Sequence, residues 1–434
     1  MSLSQLQVTY EEIQNLVPYA RNARTHSKRQ IRQIADSIRT FGFTNPVLVN
    51  RSRMIIAGHG RVDALKLLGM KTVPTICLEN LNEDQIRAYI LADNRLAEKA
   101  GWDNSILAIE LQHLTTVDLE FDVTITGFEV PEIDLILEEA AEEKQDEEPV
   151  EILSGPAVTK SGDIWLLGNH RLACGNALAE STYSGLMNGR KADVVFADPP
   201  YNVRIDGNVC GKGAIRHREF PMASGEMSEW EFSDFLYQAL AHLENHSSDG
   251  SVHFICMDWR HAAEVLLAGK KAYDTLLNLC VWTKDNGGMG SFYRSQHELI
   301  FVFRKGNTPH RNHVQLGRFG RNRTNVWRYP GVNTLSKGED GNLLALHPTV
   351  KPVAMIADAI LDCSARGDIV LDSFCGVGST ILAAEKVGRV CYGIEIDPLY
   401  VDTAVKRWER QTGQRAIHAS TGQYFNPAEA TCGG

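Results

Sequence analysis

Between Asp368 and Glu395 the chain reads strand, glycine-bearing loop, helix, strand. Ile369-Val370-Leu371 and Val390 to Glu395 are short, nearly continuous apolar runs, and a run of that kind suits a strand covered on both faces of a parallel sheet. With the helix of about 381–387 between them they form a strand-helix-strand unit, which sets the class as α/β. Ala192-Asp193-Val194-Val195-Phe196-Ala197 repeats the pattern and runs directly into Asp198-Pro199-Pro200-Tyr201. In such sheets functional groups gather at the carboxyl ends of strands.

The loop after Asp372 is Ser373-Phe374-Cys375-Gly376-Val377-Gly378-Ser379-Thr380, and Glu395 follows Asp372 by 23 positions. That is near the spacing at which an acid at the end of a second strand reaches a ribose hydroxyl. Ile381 stands where a dinucleotide loop has its third glycine, which suits an adenosine cofactor without phosphates better than a pyrophosphate. Phe374 would wall one side.

Asp198-Pro199-Pro200-Tyr201 has the groups that amino-group methylation needs. A nucleobase amine is a poor nucleophile because its lone pair is delocalised into the ring. Acceptors must hold its hydrogens: the Asp198 carboxylate and the Pro199 carbonyl can do so. The prolines stiffen the turn, and Tyr201 offers a face for a flipped base. The same four residues also fit an ordinary turn after a strand.

Length matters to organisation: 434 residues imply two or three domains. The net charge of −10 is misleading, because residues 129–151 hold eleven acids and one lysine and so carry all of it. This run divides the chain. We expect a first domain over 1–128, an acidic linker over 129–160 whose first half can form a short helix, and a second domain over 161–434. Residues 21–71 hold eleven basic residues against Asp36 and Asp63, and 304–328 hold seven with no acid, so two stretches suit phosphate. Nine cysteines without a CxxC pair favour reduced thiols, and no signal peptide or membrane span is read, so a cytoplasmic protein without a membrane partner is expected.

In the first domain, Ser27-Lys28-Arg29-Gln30 has the form of a capping box before Ile31, Ile34, Ala35 and Ile38 at helical spacing. Residues 46–49 and 54–57 read as strands, and Gly58-His59-Gly60-Arg61 leads into a helix; this turn either serves geometry alone or presents amides and Arg61 to a phosphate. With Asn22-Ala23-Arg24-Thr25-His26-Ser27 and Val73-Pro74, these residues resemble the ParB/sulfiredoxin-like N-terminal domain. That implies a nucleotide or DNA contact, although the box is Gly-His-Gly-Arg where partition proteins have a Gly-Glu-Arg-Arg type, and no helix-turn-helix is read after it.

Residues 163–415 resemble the β-group of DNA amino-methyltransferases, which act on adenine N6 or cytosine N4. The match lies in Asp198-Pro199-Pro200-Tyr201, in the loop Asp372 to Thr380, in His347-Pro348-Thr349-Val350-Lys351-Pro352, and in their order. The resemblance implies a Rossmann-like, doubly wound sheet, S-adenosylmethionine as cofactor, duplex DNA as substrate after base flipping, and no metal. It implies catalytic roles for Asp198, Pro199, Pro200 and Tyr201. It implies cofactor contacts for Asn176, Lys351, Pro352, Asp372, Ser373, Phe374, Gly376, Gly378, Ser379, Thr380 and Glu395. Asn176 stands where the family often has Asp, and Ser373 where many relatives have Pro. Asp198 as the first motif residue favours adenine, with cytosine N4 the alternative. Target recognition is expected over about 202–346, with Arg204, Lys212, Arg216, Arg218, Arg318, Arg321, Arg323 and Arg328 on DNA. His297 and Glu298 read as structural. A homodimer is a further expected partner, and the rival reading is a ParB-like binding module with an inactive second domain.

Overall fold

The computed structural model describes residues 6–117, 121–141, 155–202, 225–285, 287, 292–318, 320–331 and 350–426. It divides into two units, Met1–Glu143 and Lys144–Gly434.

The first unit contains β1 (Val8–Glu12), α1 (Lys28–Phe41), β2 (Val47–Val49), β3 (Ile55–Ala57), α2 (His59–Leu67), β4 (Thr72–Cys77), α3 (Glu83–Lys99), α4 (Asn104–Thr116) and α5 (Val130–Ala141). Its sheet has the order β1-β4-β2-β3. Ser27 caps α1 by accepting from the Gln30 amide, 3.1 Å, but the Gln30 side chain turns to His26, so only half of the expected box forms. The turn before α2 places Gly58 at φ +104°, a conformation that favours glycine. Arg61 does not reach outward from it: its guanidinium donates to the carbonyls of Asn45 and Pro46.

Within the stretch expected as an acidic linker, 129–160, α5 covers Val130–Ala141. Helical spacing lets Ile133 and Leu137 of α5 pack on Leu107, Ala108 and Leu111 of α4, while Glu139 is exposed and Asp134 is buried. At its far end Val158 and Thr159 donate amide hydrogens to Asp402 of the second unit, at 2.7 and 3.1 Å. Residues 142–154 lie outside the described residues.

The second unit runs β5 (Ile164–Leu167), β6 (His170–Cys174), α6 (Glu180–Met187), β7 (Ala192–Ala197), α7 (Glu229–Asn245), β8 (Ser247–Met257), α8 (Ala262–Ala272), β9 (Thr275–Thr283), β10 (His297–Arg304), β11 (Val326–Arg328), α9 (Val353–Cys363), β12 (Ile369–Asp372), α10 (Ser379–Lys386), β13 (Val390–Glu395), α11 (Pro398–Thr412) and β14 (Ile417–His418). The sheet order is β11-β9-β10-β8-β7-β12-β13-β6-β5-β14. Its middle, β8-β7-β12-β13-β6, is parallel throughout. Alternation along β7 sends Val194 and Phe196 into a core with α9, α10 and α11, and Val195 and Ala197 into a core with α6, α7 and α8. The sheet is therefore covered on both faces. Between β7 and β12 the connecting helices depart to opposite faces, which opens a crevice at the carboxyl edge.

Two arginines expected on DNA are part of this packing. Arg321 pairs with Asp358 and Asp362 of α9 at 2.9 and 3.0 Å, and Arg323 pairs with the same aspartates at 2.9 and 2.8 Å. Their side chains are 4 and 17% exposed, so these cations are satisfied by carboxylates rather than presented to phosphate. Charge counting along 304–328 missed this because the matching acids lie on a distant helix. Breaking such a pair on one side leaves a buried charge uncompensated. Arg321→Gln is expected to lower unfolding stability by roughly 3–5 kcal/mol, read by urea denaturation.

Candidate active site

Three carboxylates stand at the carboxyl ends of three neighbouring parallel strands. Asp372 closes β12 opposite Gly393, Glu395 closes β13, and Asp198 follows the last residue of β7. The two loops singled out by sequence therefore share one edge of the sheet.

On the β12–β13 side, Asp372 accepts from the Phe374 amide, 2.9 Å, and from the Thr380 hydroxyl, 2.6 Å. Glu395 accepts from the amides of Gly376 and Asp397, both 2.8 Å. Burial pushes each carboxyl up to about 7, with these donors offsetting part of the cost. Gly378 has φ +83°, and a Cβ there would stand 2.8 Å from that of Ala404 of α11, so the loop needs glycine for space as well as conformation. Ser373 is buried in the same loop, Phe374 packs toward Phe235, and the buried Ser379 hydroxyl at the start of α10 has no hydrogen-bond partner among the described residues. Asn176 is exposed beyond β6, its side chain accepting from the Leu178 amide, 2.9 Å. Buried carboxylates, an unpartnered hydroxyl and glycine backbone fit a cofactor with ribose hydroxyls and a cationic end.

On the β7 side, both Asp198 oxygens are engaged: Oδ1 accepts from the Tyr201 hydroxyl, 2.6 Å, and Oδ2 from Lys351 Nζ, 2.5 Å. Lys351, expected at the cofactor, thus bonds the acid of the other loop, and Pro352 is buried as the cap of α9. Burial raises the Asp198 carboxyl, Lys351 pulls it back, and the charge of Glu298 raises it again. Pro199 is buried and Pro200 half-buried in the turn. Tyr201 also packs into the core beside α7 while its hydroxyl faces Glu298, 3.0 Å.

From the sequence Glu298 reads only as structural, and Lys284 and Asn202 carry no signal that singles them out. Glu298 pairs with Lys351, 3.1 Å, and with Lys284. Its only signal was a carboxylate at the start of an apolar strand. Asn202, at φ +51°, accepts from the Gly225 amide and donates to the Met227 carbonyl, joining the two ends of segment 203–224. Arg204, Lys212, Arg216 and Arg218 lie in that segment, outside the described residues, as do His347, Pro348 and Thr349. Arg318 and Arg328 are exposed.

Comparison with known proteins agrees with this geometry. Residues 192–406 match the DNA methylase family N6_N4_Mtase, 2–94 the ParB N-terminal domain, and 105–161 the ParB-methyltransferase HTH domain. The last corrects the expectation that no helix-turn-helix follows the first domain; α4 and α5 lie within it. The ParB-like nuclease domain-containing protein YnaK of Escherichia coli is 51% identical over 80 residues, 18% of this chain and 92% of that protein. The type II methyltransferase M2.MboI of Moraxella bovis is 24% identical over 234 residues, 51% of this chain and 81% of that protein. A solved structure of M1.HpyAVI with SAM is 20% identical, covers 54% of this chain and 98% of its own, and has a TM-score of 0.38. The chain belongs to the N6/N4 DNA methylases through its second unit and to the ParB-like proteins through its first. It is a DNA methyltransferase, and the cofactor of its family is S-adenosylmethionine. No helix among the described residues is long and apolar enough to cross a membrane.

The raised carboxyls set a pH dependence. A cationic, hydroxyl-bearing ligand favours ionised Asp372 and Glu395, so calorimetric affinity for S-adenosylmethionine is expected to fall as pH drops from 8 to 6, by up to about tenfold per pH unit for each group below 7. For stability the sign is opposite. A carboxyl near 7 when folded and about 4 when unfolded takes up a proton on folding between those values, so stability falls as pH rises through the window. The urea midpoints of Glu395→Gln and wild type are expected to lie closer at pH 4 than at pH 8, where the variant gains relative to wild type.

Proposed function

We propose that the chain transfers a methyl group to N6 of adenine in duplex DNA at a defined sequence, after the base is flipped from the helix. The observation that carries this reading is Asp198, at the end of β7, one strand away from Asp372 and its glycine loop. Asp at the first motif position supports adenine through the family resemblance. When bound, S-adenosylmethionine supplies a methyl made electrophilic by the sulfonium charge. Asp372 and Glu395, with the loop from Ser373 to Thr380, would hold it.

The chain's own residues prepare the amine. Asp198 and the Pro199 carbonyl accept its hydrogens, so the nitrogen lone pair is drawn out of the ring's conjugation and left free to face the methyl donor; Asp198 is also the base nearest the proton released on alkylation. The prolines fix the two acceptors relative to each other at no further entropic cost. Exposed Arg318 and Arg328, with Arg204, Lys212, Arg216 and Arg218, are proposed phosphate or base contacts, and the helix pair α4–α5 a second DNA contact. The Gly58–Arg61 turn is the proposed place of nucleotide or phosphate contact in the first unit.

Incubation of the purified protein with labelled S-adenosylmethionine and duplex DNA, followed by nucleoside analysis, is expected to yield N6-methyladenine; N4-methylcytosine alone would overturn the adenine assignment. Asp198→Ala is expected to reduce transfer by at least about 100-fold while cofactor affinity stays within about threefold.

A further inference from the structure

Asp198 is not held by Lys351 alone. The Lys351 ammonium lies 2.5 Å from Asp198 and 3.1 Å from Glu298, and the Tyr201 hydroxyl oxygen, with one hydrogen to donate, lies 2.6 and 3.0 Å from the same two carboxylates. Glu298 sits at the second position of β10, two strands from β7 in the sheet, and its other oxygen takes Lys284 from the end of β9. Asp198, Glu298, Lys351 and Lys284 thus form a quartet of two negative and two positive charges around the buried Lys351, the other three being partly exposed. Were Lys351 and Tyr201 committed wholly to Asp198, their hydrogens would neutralise the oxygens that an incoming amine must use.

We propose that Glu298 is a positioning residue for Asp198: by sharing Lys351 and the Tyr201 hydroxyl, it keeps the acid in place while preserving its strength as an acceptor. This rests on the amine-methylation reading of the site. The charged or titratable groups facing Asp198 are Lys351 from the segment before α9, Glu298 from β10, Tyr201 from its own turn, Asp372 from β12 and Cys256 from β8, with Lys284 beyond Glu298. Glu298 is held well below the usual carboxylate range, because Lys351 and Lys284 outweigh its burial. Its negative charge therefore persists across the range in which Asp198 titrates, and it raises the proton affinity of Asp198.

Glu298→Gln keeps the shape and removes the charge. With methylation of duplex DNA as the assay, kcat is expected to fall about tenfold and the acid limb of its pH profile to move down by about one unit, with KM for DNA and calorimetric affinity for S-adenosylmethionine unchanged. Glu298→Asp, which restores the charge, is expected to recover most of the rate with the limb near its original position. Lys284→Met gives the opposite sign: with Glu298 less compensated, the limb is expected to move up. An unmoved limb in Glu298→Gln, whether the rate is retained or is lost together with cofactor binding and thermal stability, would overturn the role. If that variant does not fold, an unmoved limb in Lys284→Met decides against it. Asp198→Ala in the same assay separates the two ideas, since methylation retained there removes the reading of the site itself, whereas methylation lost there with no limb shift in the other variants removes only the role of Glu298.

Discussion

Desolvated carboxylates at the carboxyl edge of β7, β12 and β13 are the constraint around which the second unit is organised. A buried acid is costly unless donors reach it, and each of these is met differently. Glu395 is met by two backbone amides, Asp372 by an amide and a hydroxyl, and Asp198 by an ammonium and a phenol. The first two arrangements leave the acids partly uncompensated, with both carboxyls raised to about 7; the third places an acceptor between a cation and a second anion. The parallel sheet contributes by bringing three strand ends, far apart in sequence, to one edge.

The same logic distinguishes functional from structural charge elsewhere. Arg321 and Arg323 lock the segment before β11 onto α9, the helix that begins just after Lys351. Their pairing steadies the frame from which Lys351 reaches Asp198. Buried Arg321 and the half-buried Arg323, Asp358 and Asp362 act as a strut, whereas Arg318 and Arg328 in the same basic stretch are exposed.

Much of this was legible because its signals are local. Val194 to Ala197 before Asp198, Ile369 to Leu371 before Asp372, and the acid closing β13 each declare a strand end within a few residues. What escaped depends on partners distant in sequence. Glu298 meets Tyr201 across 97 positions, and Arg321 meets Asp362 across 41, so neither spacing carries a local pattern. Lys351 was placed near the pocket by its motif, but its bond to Asp198 rather than to the glycine loop follows only from three-dimensional packing. In α5 the spacing of Ile133 and Leu137 reads as a short helix, but their packing on α4, which builds the small core, carries no local pattern. A capping serine at position 27 was read correctly, while its glutamine partner turned to His26 because that ring lay within reach.

If both loops serve one ligand, a crystal structure of the full chain with S-adenosylhomocysteine will show the ribose against Glu395 and the sulfur directed toward the side of the crevice where Asp198 stands. A ligand bound with its sulfur turned away from β7, or bound elsewhere on the chain, would contradict it.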